Sequence, residues 1–170
     1  MSRKSSMFSR YPVKRTKYTQ TVGKLLPDIL KSIFLNLGAS KVITTRGQTN
    51  GVDIKVWSSK GKLVIVGEVI NWSINSLLSE KRRKKMINNL NNYNCNKILV
   101  YTNLDKNHLL HFSSNGISQI NIGYQILPTS YFNYYQKKGQ VINRKAVSPN
   151  VIQEVEKKVK LHLKRRNIRL

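Results

Sequence analysis

Acid is what this sequence lacks. Against 31 Lys and Arg it sets only 7 Asp and Glu, a formal charge of +24 over 170 residues and a pI near 10.5. A chain so one-sided repels itself until a polyanion neutralises it, and the usual polyanion is nucleic acid. The expected partner is DNA, with RNA as the alternative. Cysteine is nearly missing as well. Cys95 stands alone, which excludes an internal disulfide and a cysteine-based zinc site, suits a reducing compartment, and fits a free core thiol. No apolar run outlasts a strand, far short of the roughly 20 residues of a membrane span, so anionic membrane is a rival partner without an anchor in the chain. No apolar stretch of the kind a secretory signal needs follows the first residues. The expectation is a soluble protein, cytoplasmic or in a DNA-associated intracellular compartment, and of one globular domain.

The chain divides into a basic N-terminal arm over 1–20, a core over 21–128, and an aromatic and basic helical extension over 129–170. The arm carries Arg3, Lys4, Arg10, Lys14, Arg15 and Lys17 without an acid, as a nucleic-acid contact or, alternatively, a targeting presequence. From Val22 to Leu37 apolar residues recur at steps of three and four, and Gly38 stands where a C-capping glycine would, so a helix is predicted over 21–37. Pro27 inside that segment suggests a true start near Leu26. A short strand over 41–45 and a turn-rich loop containing Arg46 lead to a hairpin: strand 51–57, turn 58–61, strand 63–70. Next come a helix over 74–93, a buried strand over 97–102, a short helix over 107–112, a strand over 120–127 and an aromatic helix over 130–138. Ser148-Pro149 then opens a final basic helix. Together these elements predict an α/β fold in which helices cover a central, partly parallel, mixed sheet.

Two of the scarce acids sit inside the hairpin's apolar strands, Asp53 in Gly-Val-Asp-Ile and Glu68 in Val-Gly-Glu-Val. Carboxylates on adjacent strands can converge on one divalent cation, and such a cation held against a polyanion supports phosphodiester cleavage. The bland alternative makes them solvent-facing residues that balance Lys55, Lys60 or Lys62. Five consecutive basic residues, Lys81, Arg82, Arg83, Lys84 and Lys85, wrap more than one face of the following helix and read as a phosphate-contacting surface beside the hairpin. Glu80 pairs naturally with Lys84 four residues on. His108, His111 and His162 show no metal spacing, and the tyrosines around Phe132 suit either base stacking or core packing.

Helix, strand, Gly-Val-Asp strand, turn, strand ending in Glu-Val-x-Asn, helix and strand is an order that resembles the core of the PD-(D/E)xK nuclease superfamily, nearest in look to the small archaeal Holliday-junction resolvases and the restriction-endonuclease-like proteins. The likeness covers about 21–102. It implies a restriction-endonuclease-like core and a Mg²⁺- or Mn²⁺-dependent nuclease, with Asp53, Glu68 and the backbone carbonyl of Val69 as metal ligands and Asp28 on the first helix as the match to a further family acid. Family members of this size generally act as dimers, so a homodimer is implied. The family's catalytic lysine should stand two residues after the glutamate, where this chain has Ile70. Lys55, two residues past Asp53 and on its strand face, is the first substitute. Asn71, which should point away from Glu68, and Lys81 or Lys84 from the next helix are the others. If none serves, the fold persists as a catalytically inactive DNA-binding module. A basic RNA- or ribosome-associated protein is the third reading. Nothing in the chain reads sequence, which favours structure-selective action on branched or single-stranded DNA at least as much as site-specific cutting.

Overall fold

The computed structural model describes residues 15–45 and 51–170. The chain runs α1 (Arg15–Asn36), β1 (Lys41–Thr44), β2 (Ile54–Trp57), β3 (Leu63–Ile70), α2 (Glu80–Asn91), β4 (Asn96–Tyr101), α3 (Lys106–Ser114), β5 (Ser118–Asn121), β6 (Gln125–Leu127), α4 (Thr129–Lys137), β7 (Arg144–Ala146) and α5 (Pro149–Arg165). Strands β1 to β5 form one sheet in chain order: β1, β2 and β3 pair antiparallel, while β3, β4 and β5 pair parallel. The parallel pairs exist because α2 and α3 carry the chain back across one face. This is the predicted α/β architecture, a five-stranded mixed sheet flanked by helices.

Each face of the sheet buries its own cluster. On one, Leu26, Leu30, Ile33 and Phe34 of α1 and Val155 and Val159 of α5 cover Ile54, Val56, Ile65, Ile98 and Val100. On the other, Met86, Ile87 and Leu90 of α2 and Phe112 of α3 cover Val66, Ile70, Leu99 and Tyr101. Residues 129–170, separated as an extension in the sequence, join the core directly: α5 shares the first cluster, and β7 pairs with β6 in a second, two-stranded sheet. Ser148 caps α5 by accepting the Val151 N–H at 3.1 Å.

Pro27 neither starts nor ends α1. It lies buried inside a 22-residue helix, where the apolar stripe against the sheet outweighs the lost backbone hydrogen bond. Residues 74–79, predicted as helix, are irregular, and α2 begins only at Glu80, where Ser79 accepts the Arg82 N–H at 3.1 Å. The strand predicted over 120–127 divides into β5 and β6 at Gly123, whose φ of 90° breaks an extended run. β7 had no apolar signal, being Arg-Lys-Ala.

Gly67 is required by close packing. A Cβ there would lie 2.8 Å from Ile98 Cγ1 and 3.0 Å from Ile54 Cγ2, so the strand presses its neighbours together one residue before Glu68. Asn71, one residue past β3, acts as a backbone surrogate: its amide donates to the Ile126 carbonyl at 2.8 Å and its carbonyl oxygen accepts the Ile126 N–H at 2.9 Å. The Gln125 amide donates to the Asn71 carbonyl at 3.2 Å, completing a buried seam between the two sheets. Cys95 packs half-buried against the second cluster, and burial pushes its thiol up. No described helix is long and apolar enough to cross a membrane.

Candidate functional site

Asp53 precedes β2 and continues its ladder. Its N–H donates to the Gly67 carbonyl at 2.9 Å and its carbonyl accepts from the Thr45 N–H at 3.0 Å, while the Thr45 hydroxyl donates to the Val52 carbonyl. Ile54 pairs with Gly67, so the register sets Asp53 opposite Glu68 across the hairpin, and alternation puts both side chains on the face covered by α2. Because β2 runs against β3, both carboxylates also stand at the carboxyl end of the parallel strands, the end at which open α/β sheets bind ligands.

The two side chains hydrogen-bond to each other. Glu68 is only 4% exposed, and burial, followed by the charge and hydrogen bond of Asp53, pushes its carboxyl up to about 10; Arg82 opposes this. Asp53 is also raised, by burial, against the lowering effects of its bonds to Glu68 and to the Val69 N–H at 2.8 Å and of the Arg82 charge. Two desolvated carboxyls in contact cannot both ionise unaided, so near neutrality the pair holds one proton between them. A divalent cation is the natural replacement for that proton.

The donor set suits a hard cation. Two carboxylates converge, and the Val69 carbonyl leaves its strand on the same side as the N–H that Asp53 accepts, the β2 side. Asp28 does not join them. It is exposed on α1, the helix packed against the opposite face of the sheet, and among the described residues no three His, Cys, Asp or Glu side chains group as a metal site.

The basic residues separate according to where they point. Lys55 shares the carboxylates' face of β2, but its Nζ rests over the Tyr93 ring, 5.3 Å from the centroid. Ile70 is 1% exposed in the second cluster, and Asn71 is engaged by Ile126. Lys84 binds Glu80 at 3.0 Å. The cation whose charge acts on both carboxylates is Arg82, whose guanidinium carbon lies 5.1 Å from the Trp72 ring centroid. Sequence reasoning placed Arg82 in the phosphate-contacting run and missed this second role, because residues 74–79, irregular in the fold, read as the start of the helix that begins at Glu80.

Lys81, Arg82, Lys84 and Lys85 are exposed along α2. Arg83 corrects the expectation of a phosphate contact: it is 7% exposed, donates from Nη1 to His108 Nδ1 at 3.1 Å, and its Nη2 lies 3.9 Å from Glu80. A side chain buried by its own helix and α3 cannot grip a backbone in solvent. Lys14 and Arg46 lie outside the described residues, as does the side chain of Arg15. His108 therefore has a fixed partner that its spacing did not reveal. His162, likewise unremarkable in the sequence, meets the Ser118 hydroxyl at 2.8 Å through Nε2.

No family model and no curated protein matches this chain. Among solved structures it is similar to the MspJI restriction endonuclease in complex with a 27-mer oligonucleotide, at 9% sequence identity and a TM-score of 0.40, covering 80% of this chain and 36% of that one. The chain thus spans little more than a third of the length of that endonuclease.

Proposed function

We propose that this chain is a metal-dependent nuclease of restriction-endonuclease-like build that hydrolyses phosphodiester bonds in DNA. The observation that carries the reading is the pair of mutually bonded, buried carboxyls of Asp53 and Glu68 at the foot of a basic helix, in a chain with only seven acids. Asp53, Glu68 and the Val69 carbonyl would hold Mg²⁺ or Mn²⁺. When bound, the ion supplies Lewis acidity and a water of lowered pKa. The chain's own residues do the rest. Lys81, Arg82 and Lys85 attract and align the phosphate backbone, and Arg82, braced on Trp72, offers a delocalised charge where the scissile phosphate gathers negative charge. Arg82 rather than Lys55 thereby takes the part left open by Ile70.

Ile70 also favours a second reading, a nuclease fold that binds DNA without cutting it. Incubating purified protein with plain and branched DNA duplexes in Mg²⁺ or Mn²⁺ separates the two. Cutting that disappears in Asp53→Asn and Glu68→Gln, with salt-sensitive binding retained, supports the nuclease. Binding without cutting on every substrate supports the second reading, and preference for RNA over both DNAs would sink the DNA assignment. A two-fold dimer would set two such sites against two strands, and sedimentation of the DNA complex at a two-to-one ratio tests it.

A further inference from the structure

A concavity lies at the carboxyl ends of β3 and β4. The 71–79 segment leaving β3 and the 102–105 segment leaving β4 enclose, with the start of α3, a cleft of about 190 Å³. The two segments are laced together: the Thr102 hydroxyl accepts the Trp72 N–H at 2.8 Å, and the Asn103 amide donates to the Trp72 carbonyl at 2.8 Å. The cleft therefore lies at the same end of the sheet as Asp53 and Glu68.

Its walls carry apolar and polar surface in about equal measure. Ile74, Leu77 and Leu104 line it, and Leu77 is 85% exposed, the most exposed large apolar side chain among the described residues. Of its polar side chains, Ser76 meets the Ser73 hydroxyl at 3.3 Å and the Asn103 amide is engaged by Trp72, and Asp105 and His108 add one acceptor and one donor. Asp105 occupies the N-cap position of α3 without making a side-chain capping bond, so its carboxylate remains available to the cleft it lines. His108 also lines the cleft. A guanidinium only donates, so Nδ1 of His108 accepts from Arg83 and the ring proton sits on Nε2.

We infer that this cleft receives one unpaired nucleobase bearing an exocyclic amine, the amine meeting Asp105 and a ring or carbonyl acceptor meeting His108. The inference rests on the nucleic-acid reading above and narrows its substrate to strands with an unpaired or extruded base. A carboxylate repels phosphate, so the cleft does not continue the backbone track of α2. A partner protein's lysine or arginine would satisfy Asp105 but would have to approach a chain of net charge +24. A base brings its amine on a flat, part-apolar ring attached to the polyanion that the surface already attracts. Inside a regular duplex its edge and faces are occupied, so it must be unpaired beforehand or extruded on binding.

The test uses the full chain with EDTA present and DNA carrying 2-aminopurine, which keeps an exocyclic amine and brightens on unstacking, stepped through a branched junction and through a single strand. A several-fold rise in emission at one position, in the wild type and in Asp53→Asn alike, is expected. Asp105→Ala and Leu77→Ala, both at exposed side chains, should remove the rise and weaken binding of that substrate by about tenfold, in the first case through loss of a charge-assisted hydrogen bond. Unmodified purine at that position, lacking the amine, should bind the wild type and Asp105→Ala equally. Equal emission at every position on bound DNA, or a rise untouched by both cleft variants, overturns the inference and leaves the nuclease reading standing. A cleft-dependent rise from a protein that never cuts upholds the inference and removes the nuclease.

Discussion

The carboxyl groups of Asp53 and Glu68 meet in a hydrogen bond although their strands run in opposite directions and 14 residues of chain lie between them. The contact is costly in the metal-free protein. Burial raises both groups, so between the unfolded glutamate value of 4.5 and about 10 the folded chain holds a proton that the unfolded chain has released. Its stability falls as pH rises through that window.

Glu68→Gln removes the like charge while keeping the shape. Thermal melts in EDTA at pH 5 and pH 8 should show little change at the lower pH and a gain of about 1–3 kcal/mol at the higher one. Divalent-dependent cutting should be lost in the same variant.

Metal binding should release a proton. Titration of Mn²⁺ into the protein at pH 6, 7 and 8 is expected to tighten by up to about tenfold per unit, with proton uptake by the buffer visible as a buffer-dependent heat. A pH-independent affinity would contradict the shared proton.

Arg82→Ala should lower cutting by roughly 10²–10³-fold, while Arg82→Lys, which keeps charge but loses the planar contact with Trp72, should recover part of it. Lys55→Ala should cost far less, since Lys55 Nζ is committed to the Tyr93 face. Single-turnover rates at saturating protein distinguish these effects from weaker binding.

Salt titration of duplex binding sorts the basic run. Lys81→Ala and Lys85→Ala should each reduce the slope of log affinity against log salt by about 0.9, the release of one counterion. Arg83→Met should leave the slope unchanged, because its guanidinium faces His108 inside the protein.

Gly67→Ala places a methyl group 2.8 Å from Ile98 Cγ1 with Ile54 closing the other side. Urea unfolding should show a loss of about 1–3 kcal/mol, and some disturbance of the adjacent Glu68 should weaken metal binding in the variant that still folds.

Much of this site was legible in the sequence because a hairpin is local. Period-two alternation and a short turn are enough to put Asp53 and Glu68 on one face, and scarcity of acid singles them out. What escaped depended on contacts distant in the chain. Leu77 and Leu78 fit a helical stripe, and only the fold shows Leu77 turned to solvent and Leu78 inward while the helix waits for its Ser79 cap. Pro27 reads as a boundary until the sheet beneath α1 is known. Asn71 gave no sign of pairing with Ile126, which is 55 residues away, and the Arg83 contact with His108 crosses 25 residues. Ser79 was the one local signal that would have moved the start of α2.

The two clusters also differ in when they can be completed. Strand order follows chain order, so β1 to β5 and the covering α2 and α3 can assemble progressively as the ribosome delivers them. The opposite face cannot. α1 shields only part of it, and the remaining greasy area stays uncovered until α5 is translated, with the carboxylate hairpin already formed beneath. A nascent chain stalled before α5 would therefore own a finished site on an unfinished body, prone to clump through the bare side while already attracting polynucleotides.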